Sequence, residues 1–493
     1  MPKRLILFVR SLFAAVAVIG ALFAAHPAKA QTLQDALTNA YNTNPQLLAE
    51  RANLRATDEN VPQALANWRP TVQVTGSEGI QHNASKQDCG KIFEGFNSCA
   101  NFSTPQTQSL TTTGSGSPPI LLTNNVFSQN LSPQTYGVTI VQPLYRGGRT
   151  EAQTEQALNL VRSERAHLLS IEQGVLLNAV TDYMNVVRDQ ATLDLNVNNE
   201  QVLRRQLEAT QDRFRVGEVT RTDVAQAEAA YAAAIAARQA AEGTLQISRS
   251  TYERDVGQPP GKLAPPNGVP ELPTSRDEAT GLALNANPDV VSAQFAQQAA
   301  EDNVRLVRGQ LLPTWTVNAG IQRLKETGGA GQTLDEMSLT TQLTVPLYDG
   351  GAFFSQSRQA QQTVDQRRSQ VDTARLTASQ LAAQAWEQLV SDRGQIVSQR
   401  AQIKANEIAL DGVQQEASVG SRTVLDILNA EQTLFQSRVN LVASQHDEVV
   451  AEFSLADALG RLTARQLNLP VAYYDPEEHF DAVRDKWVGF GDK

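Results

Sequence analysis

Pro143-Leu144-Tyr145-Arg146-Gly147-Gly148 returns 203 residues later as Pro346-Leu347-Tyr348-Asp349-Gly350-Gly351. The same offset pairs Val216-Gly217 with Val419-Gly420, Asp223 with Asp426, Ala227-Glu228 with Ala430-Glu431 and Gly257 with Gly460, without a gap. An offset of 243 pairs Asn44-Pro45 with Asn287-Pro288, Asn60-Val61 with Asn303-Val304 and Pro70 with Pro313. The chain is therefore two copies of one long unit, and the first carries an insertion of 40 residues. Solenoid repeats have periods of about 20–50 residues; a period above 200 is the duplication of a whole structural half.

Each copy reads as helix, two strands and a long helical hairpin. Residues 33–68 have helical periodicity, with a kink, or a break between two shorter pieces, expected at Pro45. Thr71-Val72-Gln73-Val74-Thr75 then alternates polar and apolar, as a half-buried strand does. Alternation resumes from Tyr136 to Gln142 and ends at Tyr145 and the Gly-Gly pair. Between them, 80–132 is rich in Ser, Thr, Asn, Gln, Gly and Pro, reads as a long loop, and holds the insertion. Helix is expected over 150–214, about 100 Å of it, which is coiled-coil length. Gly217 can end it, and Thr222 or Asp223 can start the return helix 223–256. The second copy gives helix 276–309, strands 313–324 and 338–348, helix 353–418 and helix 424–460. The shorter helices are expected to stack in two pairs, 223–256 with 276–309 and 424–460 with 33–68, each as long as an unbroken helix. Residues 466–493 read as an irregular, acidic tail.

The first thirty residues read as an export signal, with Lys3, Arg4 and Arg10, an apolar run from Leu12 to Ala25, and Ala28-Lys29-Ala30 as the cleavage site. The mature chain is expected from Gln31, with 38 basic against 52 acidic side chains, a balance that argues against nucleic acid. No later apolar run approaches the roughly 18 residues of a spanning helix. Export places the two cysteines, Cys89 and Cys99, in an oxidising space, where a disulfide closing a small loop is expected over a metal or redox site. The expected domains are 1–30 signal, 31–258 first repeat, 259–275 Pro-rich linker, 276–461 second repeat and 462–493 tail.

The strands point to a membrane. Four segments of about ten residues, alternating in polarity and ended by Tyr136, Tyr145, Trp315 and Tyr348, match transmembrane β-strands with an interfacial aromatic belt. Four strands cannot close a barrel, and an open edge cannot sit in lipid, so the chain must oligomerise; three copies supply twelve strands. The competing reading is a secreted structural coiled coil without channel activity, which leaves the strands' apolar faces unexplained. An enzyme finds no support: the histidines are scattered, there is no His-Glu-x-x-His or Gly-x-Ser-x-Gly, and Gly257-Gln258-Pro259-Pro260-Gly261-Lys262 is one residue short of a phosphate loop, with Leu263 in place of Ser/Thr. No cofactor or metal is expected.

The Pro-Leu-Tyr-x-Gly-Gly strand ends, the duplicated strand-to-long-helix plan and Ser418-Val419-Gly420-Ser421-Arg422-Thr423-Val424-Leu425-Asp426-Ile427-Leu428 together resemble the TolC family of outer-membrane channel-tunnels. The resemblance covers the mature chain except 80–132 and the tail, and is greatest from Ser338 to Leu469. It implies a mixed α and β fold: a homotrimer with a twelve-stranded barrel in outer-membrane lipid and a twelve-helix periplasmic tunnel. It also implies the role of exit duct, with a periplasmic adaptor and an inner-membrane transporter as partners, for drug efflux or one-step (type I) protein secretion. Val216-Gly217 and Val419-Gly420 match the tips where the adaptor docks. Arg422 matches the arginine that ties neighbouring hairpins shut, and Thr222 and Asp223 match its partners. Asp426 matches the first of two aspartates at the constriction, where three carboxylates would form a cation-attracting ring. Two positions depart from the family: Ala417 stands for a tyrosine of the tie, and Asn429 for the second aspartate. The absence of a lipid-attachment cysteine leans toward the protein-secretion branch.

Overall fold

The computed structural model describes residues 31–87, 91–93, 96–97, 125–266 and 271–490. The expected export signal and the Cys89–Cys99 pair lie outside these residues. The described chain forms two compact units, one of helices (31–64, 153–304, 357–490) and one mainly of strands (65–152, 305–356), each drawing on both sequence copies. No described helix is long and apolar enough to cross a membrane.

The strand unit has a 3-10 turn ahead of the first strand of each copy, at Ala66–Trp68 and Gly309–Leu311, 243 residues apart. Its sheet contains β1 (Thr71–Glu78), β6 (Gln134–Arg146), β7 (Thr314–Lys325) and β8 (Thr333–Thr344), in the order β1-β6-β7-β8 and antiparallel throughout. The register aligns Val74, Val138, Ile321 and Met337 across all four strands, and beside them Val72, Ile140, Ala319 and Leu339. Cross-strand partners share a face, so one face is apolar, and it is open: Val74 is 77% and Leu339 77% exposed. The other face carries Gln73, Thr139, Gly320 and Ser338, then Thr75, Gly137, Gln322 and Glu336. Tyr145 and Trp315 pair at one end of the sheet, and Tyr136 lies toward the other.

Two expectations in this unit change. The strand expected at 338–348 is displaced toward the N-terminus: β8 begins at Thr333, where pairing with β7 runs to Lys325 and Arg323 grips Asp335, and it stops before Pro346, which has no N–H to give a ladder. The region expected as one loop from 80 to 132 contains strands. β2 (Gln81–Gln87) pairs with β5 (Asn125–Leu131), and the short β3 (Lys91–Phe93) with β4 (Phe96–Asn97). Backbone pairing does not need an apolar alternation, so polar sequence concealed it.

The helical unit contains α1 (Leu33–Thr43), α2 (Pro45–Asp58), α3 (Asn60–Leu65), α4 (Arg149–Arg215), α5 (Arg221–Val256), α6 (Arg276–Ala286), α7 (Pro288–Arg308), α8 (Ala352–Ser418), α9 (Val424–Ala458) and α10 (Glu478–Val483), with α3, α4, α7 and α8 running in part into the strand unit. α4 and α8 have 67 residues each, about 100 Å. Both Gly-Gly pairs that precede them take positive φ. The expected single helix over 276–309 is interrupted at Asn287-Pro288, just as Asn44-Pro45 interrupts the first copy, because proline gives up the interior hydrogen bond.

The expected stacking of the shorter helices is exchanged. α5 abuts α1–α2, and α9 abuts α6–α7, so each copy closes on itself. The buried Asn44 accepts the Gln46 N–H at Oδ1 (2.9 Å), capping α2, and donates from Nδ2 to the Asp255 carbonyl (3.1 Å) at the end of α5. Asn287 repeats this, accepting from Asp289 N (3.0 Å) and donating to the Ala458 carbonyl (3.2 Å). The return helices end in glycines with φ of +80° (Gly257) and +73° (Gly460). A Cβ at Gly460 would lie 2.3 Å from the Ala286 carbonyl oxygen, and one at Gly257 2.5 Å from Thr43 Oγ1.

The larger core joins Leu37, Tyr41 and Leu47 to Leu176, Tyr183 and Tyr252, and to Phe453, Leu462 and Leu469. The tail is accordingly not loose. Tyr474 N donates to Tyr41 Oη, the Arg51 guanidinium lies against the Tyr41 and Tyr474 rings (4.4 and 5.3 Å), and His479 on α10 meets the buried Asp58 (3.1 Å). Two carboxylate pairs lie in the first copy, and in the second Asp457 is pushed up to about 6 by burial and then by Asp289. Asp182 is pushed up to about 7 by burial and then by the Asp255 carboxylate beside it. Glu164 is also pushed up to about 7, by burial and then by Glu50; Asn53 donates to both glutamates, and His167 stands 4.0 Å from Glu50.

Asn44→Ala and Asn287→Ala should each cost about 1–2 kcal/mol in thermal or denaturant melting of the purified protein. Asn287→Asp keeps the cap acceptor and loses the amide donor, so it should also destabilise; wild-type melting in this variant would count against the joint. The raised carboxyl groups keep a proton in the folded chain where the unfolded chain has released it, so they make stability fall as pH rises from about 4 to about 7. The double variant Glu164→Gln, Asp182→Asn should flatten the melting-temperature difference between about pH 5 and about pH 7.5, and an unaltered slope would contradict the assignment.

Candidate functional site

The two helical hairpins turn by the same device. α4 ends in a Schellman motif, with Gly217 N donating to the Phe214 carbonyl (3.0 Å) and Glu218 N to that of Arg213 (2.9 Å). α8 ends likewise, with Gly420 N to Ala417 O (3.2 Å) and Ser421 N to Glu416 O (3.0 Å). Gly217 and Gly420 both have φ of +84°, the left-handed geometry that favours glycine. Val216 and Val419, which precede them, are 72% and 80% exposed. The two hairpins thus place a valine in water at corresponding points.

α5 starts two residues earlier than expected, at Arg221, whereas α9 starts at Val424 as expected. Thr220, not Thr222 or Asp223, is the N-cap of α5, and Thr423 is the N-cap of α9. Each forms a capping box with the aspartate three residues on. Asp223 Oδ2 accepts from Thr220 N (2.8 Å) and Oγ1 (2.7 Å), while Asp223 N donates back to Thr220 Oγ1. Asp426 does the same with Thr423 (2.9 and 2.9 Å). The Thr-x-x-Asp spacing was the available signal. These contacts hold both carboxyls below the usual range, by the Thr220 hydroxyl and then its N–H for Asp223, and by the Thr423 N–H and then its hydroxyl for Asp426. Both therefore stay charged through neutral pH while also serving as caps.

The structure does not bring the other expected residues together within one chain. Arg422 turns back on its own hairpin, donating from Nε to Glu416 Oε2 (2.7 Å), and no ion pair joins it to Asp223. Glu416 escaped the sequence reading because it lies on the far side of the turn. Thr222 and Asn429 are exposed on α5 and α9, and Ala417 is buried. Val219, at the position corresponding to Arg422, packs instead on an apolar cluster of Leu203, Ala234, Val424 and Leu428, which joins the two hairpins near their tips. Among the described residues no group of His, Cys, Asp and Glu could hold a metal ion.

The sequence profile described as "Outer membrane efflux protein" matches residues 32–254 and 279–461, the two copies in turn. The chain belongs to the outer membrane efflux protein family. Within it, the chain is 36% identical over 480 residues to the outer membrane efflux protein BepC of Brucella suis, covering 97% of this chain and 95% of BepC. It is 27% identical over 356 residues to the outer membrane protein TolC of Vibrio cholerae (67% and 77%). The fold is that of the solved channel CusC, with a TM-score of 0.71 at 16% identity, over 87% of this chain and 92% of that one. This family is one of outer-membrane channels rather than enzymes, and the resemblance to TolC proteins read from the sequence is its signature.

Thr220→Ala and Thr423→Ala should each speed amide hydrogen exchange at Asp223 or Asp426 by about fivefold, the equivalent of about 1 kcal/mol of cap. Exchange at the Asn44 and Asn287 joints should be unchanged; unaltered exchange at the tips would remove the capping boxes.

Proposed function

We propose that this outer-membrane efflux protein works as a homotrimer whose three four-stranded sheets join edge to edge into a twelve-stranded barrel, with the helical units forming a twelve-helix periplasmic tunnel. The observation that carries this reading is the sheet: apolar on one face, polar on the other, and unpaired along β1 and β8 among the described residues. Lipid tolerates neither an open edge nor a polar outer face, and a barrel built this way satisfies both while leaving a wet lumen.

The protein is then the exit duct of a tripartite export system, taking cargo from an inner-membrane transporter and a periplasmic adaptor in drug efflux, type I protein secretion or both. The adaptor docks at Val216, Gly217, Val419 and Gly420. The gate comprises Thr222, Asp223, Arg422, Asp426 and Asn429, with Arg422 exchanging its Glu416 contact for Asp223 of a neighbouring hairpin in the closed state. Each sequence copy, 31–258 and 276–461, contributes one hairpin, the linker 259–275 joins them, and 462–493 fastens the ends. No step requires a cofactor or a catalytic residue.

Asp223→Ala with Arg422→Ser should raise single-channel conductance in planar bilayers several-fold, and Asp426→Ala should weaken block by trivalent cations. Thr220→Ala, which removes the cap and keeps the tie, separates the two roles of Asp223. Equal conductance in the double variant, or conductance raised as much by Thr220→Ala, would contradict the tie.

A further inference from the structure

The false phosphate loop of the linker borders a cavity of about 640 Å³ between α4, α5 and residues 260–263. Val186, Val187, Pro260 and Leu263 give it apolar walls, and Val187 and Leu263 continue into the main core. Its polar groups are Gln190, Asp194, Arg249 and Lys262. Among the described residues the Arg249 guanidinium meets only an amide, donating from Nη2 to Gln190 Oε1 (3.2 Å), and its buried Nε finds no acceptor there. Gln190 in turn donates to Asp194 (3.1 Å). Asp189, the next carboxylate, is taken by Arg188 and Ser248. Lys262 enters no ion pair among the described residues.

The duplication supplies the comparison. At the offset of 203, Gln190 corresponds to Arg393 and Arg249 to Glu452. In the second copy these form an ion pair, Arg393 Nη2 to Glu452 Oε1 at 2.6 Å. The first copy thus keeps a cation at a helix–helix contact where its twin is neutralised, and sets a lysine at the same cavity.

We infer that this cavity binds a small amphipathic anion, a carboxylate, sulfonate or phosphate head held by Arg249 and Lys262 with an apolar body against Val186, Val187 and Leu263. Two cations face one carboxylate that already accepts from Gln190, so an anion is favoured over a cation. The volume suits a drug-sized molecule. The site is separate from the tips and does not depend on the gate.

The test is a ¹⁹F NMR titration of the full-length protein in nanodiscs of zwitterionic lipid, with 4-(trifluoromethyl)benzenesulfonate as probe and 4-(trifluoromethyl)benzylammonium as its cationic counterpart. The sulfonate should bind saturably and the ammonium should not. Lys262→Gln, an exposed linker change, and Arg249→Gln should each weaken the sulfonate about tenfold, and Arg375→Gln should leave it unchanged. Gln190→Glu gives Arg249 the counter-charge that its twin has and should abolish binding with melting preserved. Displacement of the probe by added phosphatidylglycerol would assign the site to lipid headgroups, and its persistence to soluble anions. Equal binding of the ammonium, or full sulfonate binding in Gln190→Glu or Lys262→Gln, would overturn the inference.

Discussion

The two edges of the four-stranded sheet, β1 and β8, set the strongest constraint on the strand unit. β1 and β8 each leave a row of backbone donors and acceptors with no partner strand among the described residues, beside a face whose valines, leucines and methionine are open. In lipid each unsatisfied backbone group costs several kcal/mol. In a bilayer, where no water reaches these groups, such edges call for partner strands. The polar face, with Gln73, Thr139 and Ser338 in one row, needs water as firmly as the other needs hydrocarbon.

The helical unit meets a different constraint, that of matching lengths. Each unbroken helix of about 100 Å needs neighbours as long. The chain supplies these by abutting shorter helices end to end, and one asparagine per copy makes the joint by capping the helix that begins and holding the carbonyl of the helix that ends. Positive-φ glycines at 257 and 460 let the ends approach. Where the copies agree, at these joints and at the two Schellman–capping-box turns, the residues serve the scaffold. They diverge at Arg422 against Val219 and at Arg249 against Glu452, where the side chains make different contacts in the two copies.

Much of this was legible in the sequence because duplication prints the same constraint twice. The Gly-Gly pairs, the strand alternation and the unbroken helices could be read from position alone, and the Asn-Pro breaks could have been read in both copies. Which short helix meets which could not. Length is the same for either pairing, and the deciding contacts, Asn44 with Asp255 and Asn287 with Ala458, are separated by 211 and 171 residues. The β2–β5 ladder and the packed tail were hidden because backbone pairing and a few aromatic contacts leave no periodic trace. At the tips, the turn residues were visible, but the contact of Arg422 with Glu416 was not, because the turn at Gly420 brings together two side chains that lie on either side of it.

The oligomeric demand of the open sheet is therefore the point on which the account stands. Native mass spectrometry of the full-length protein released from outer-membrane extracts measures it directly. A mass of three chains is expected, reduced to monomer by heating or by proline substitutions at Val74 and Leu339, where the edge strands lose ladder donors. A water-soluble monomer that keeps its strand signal in circular dichroism would contradict it.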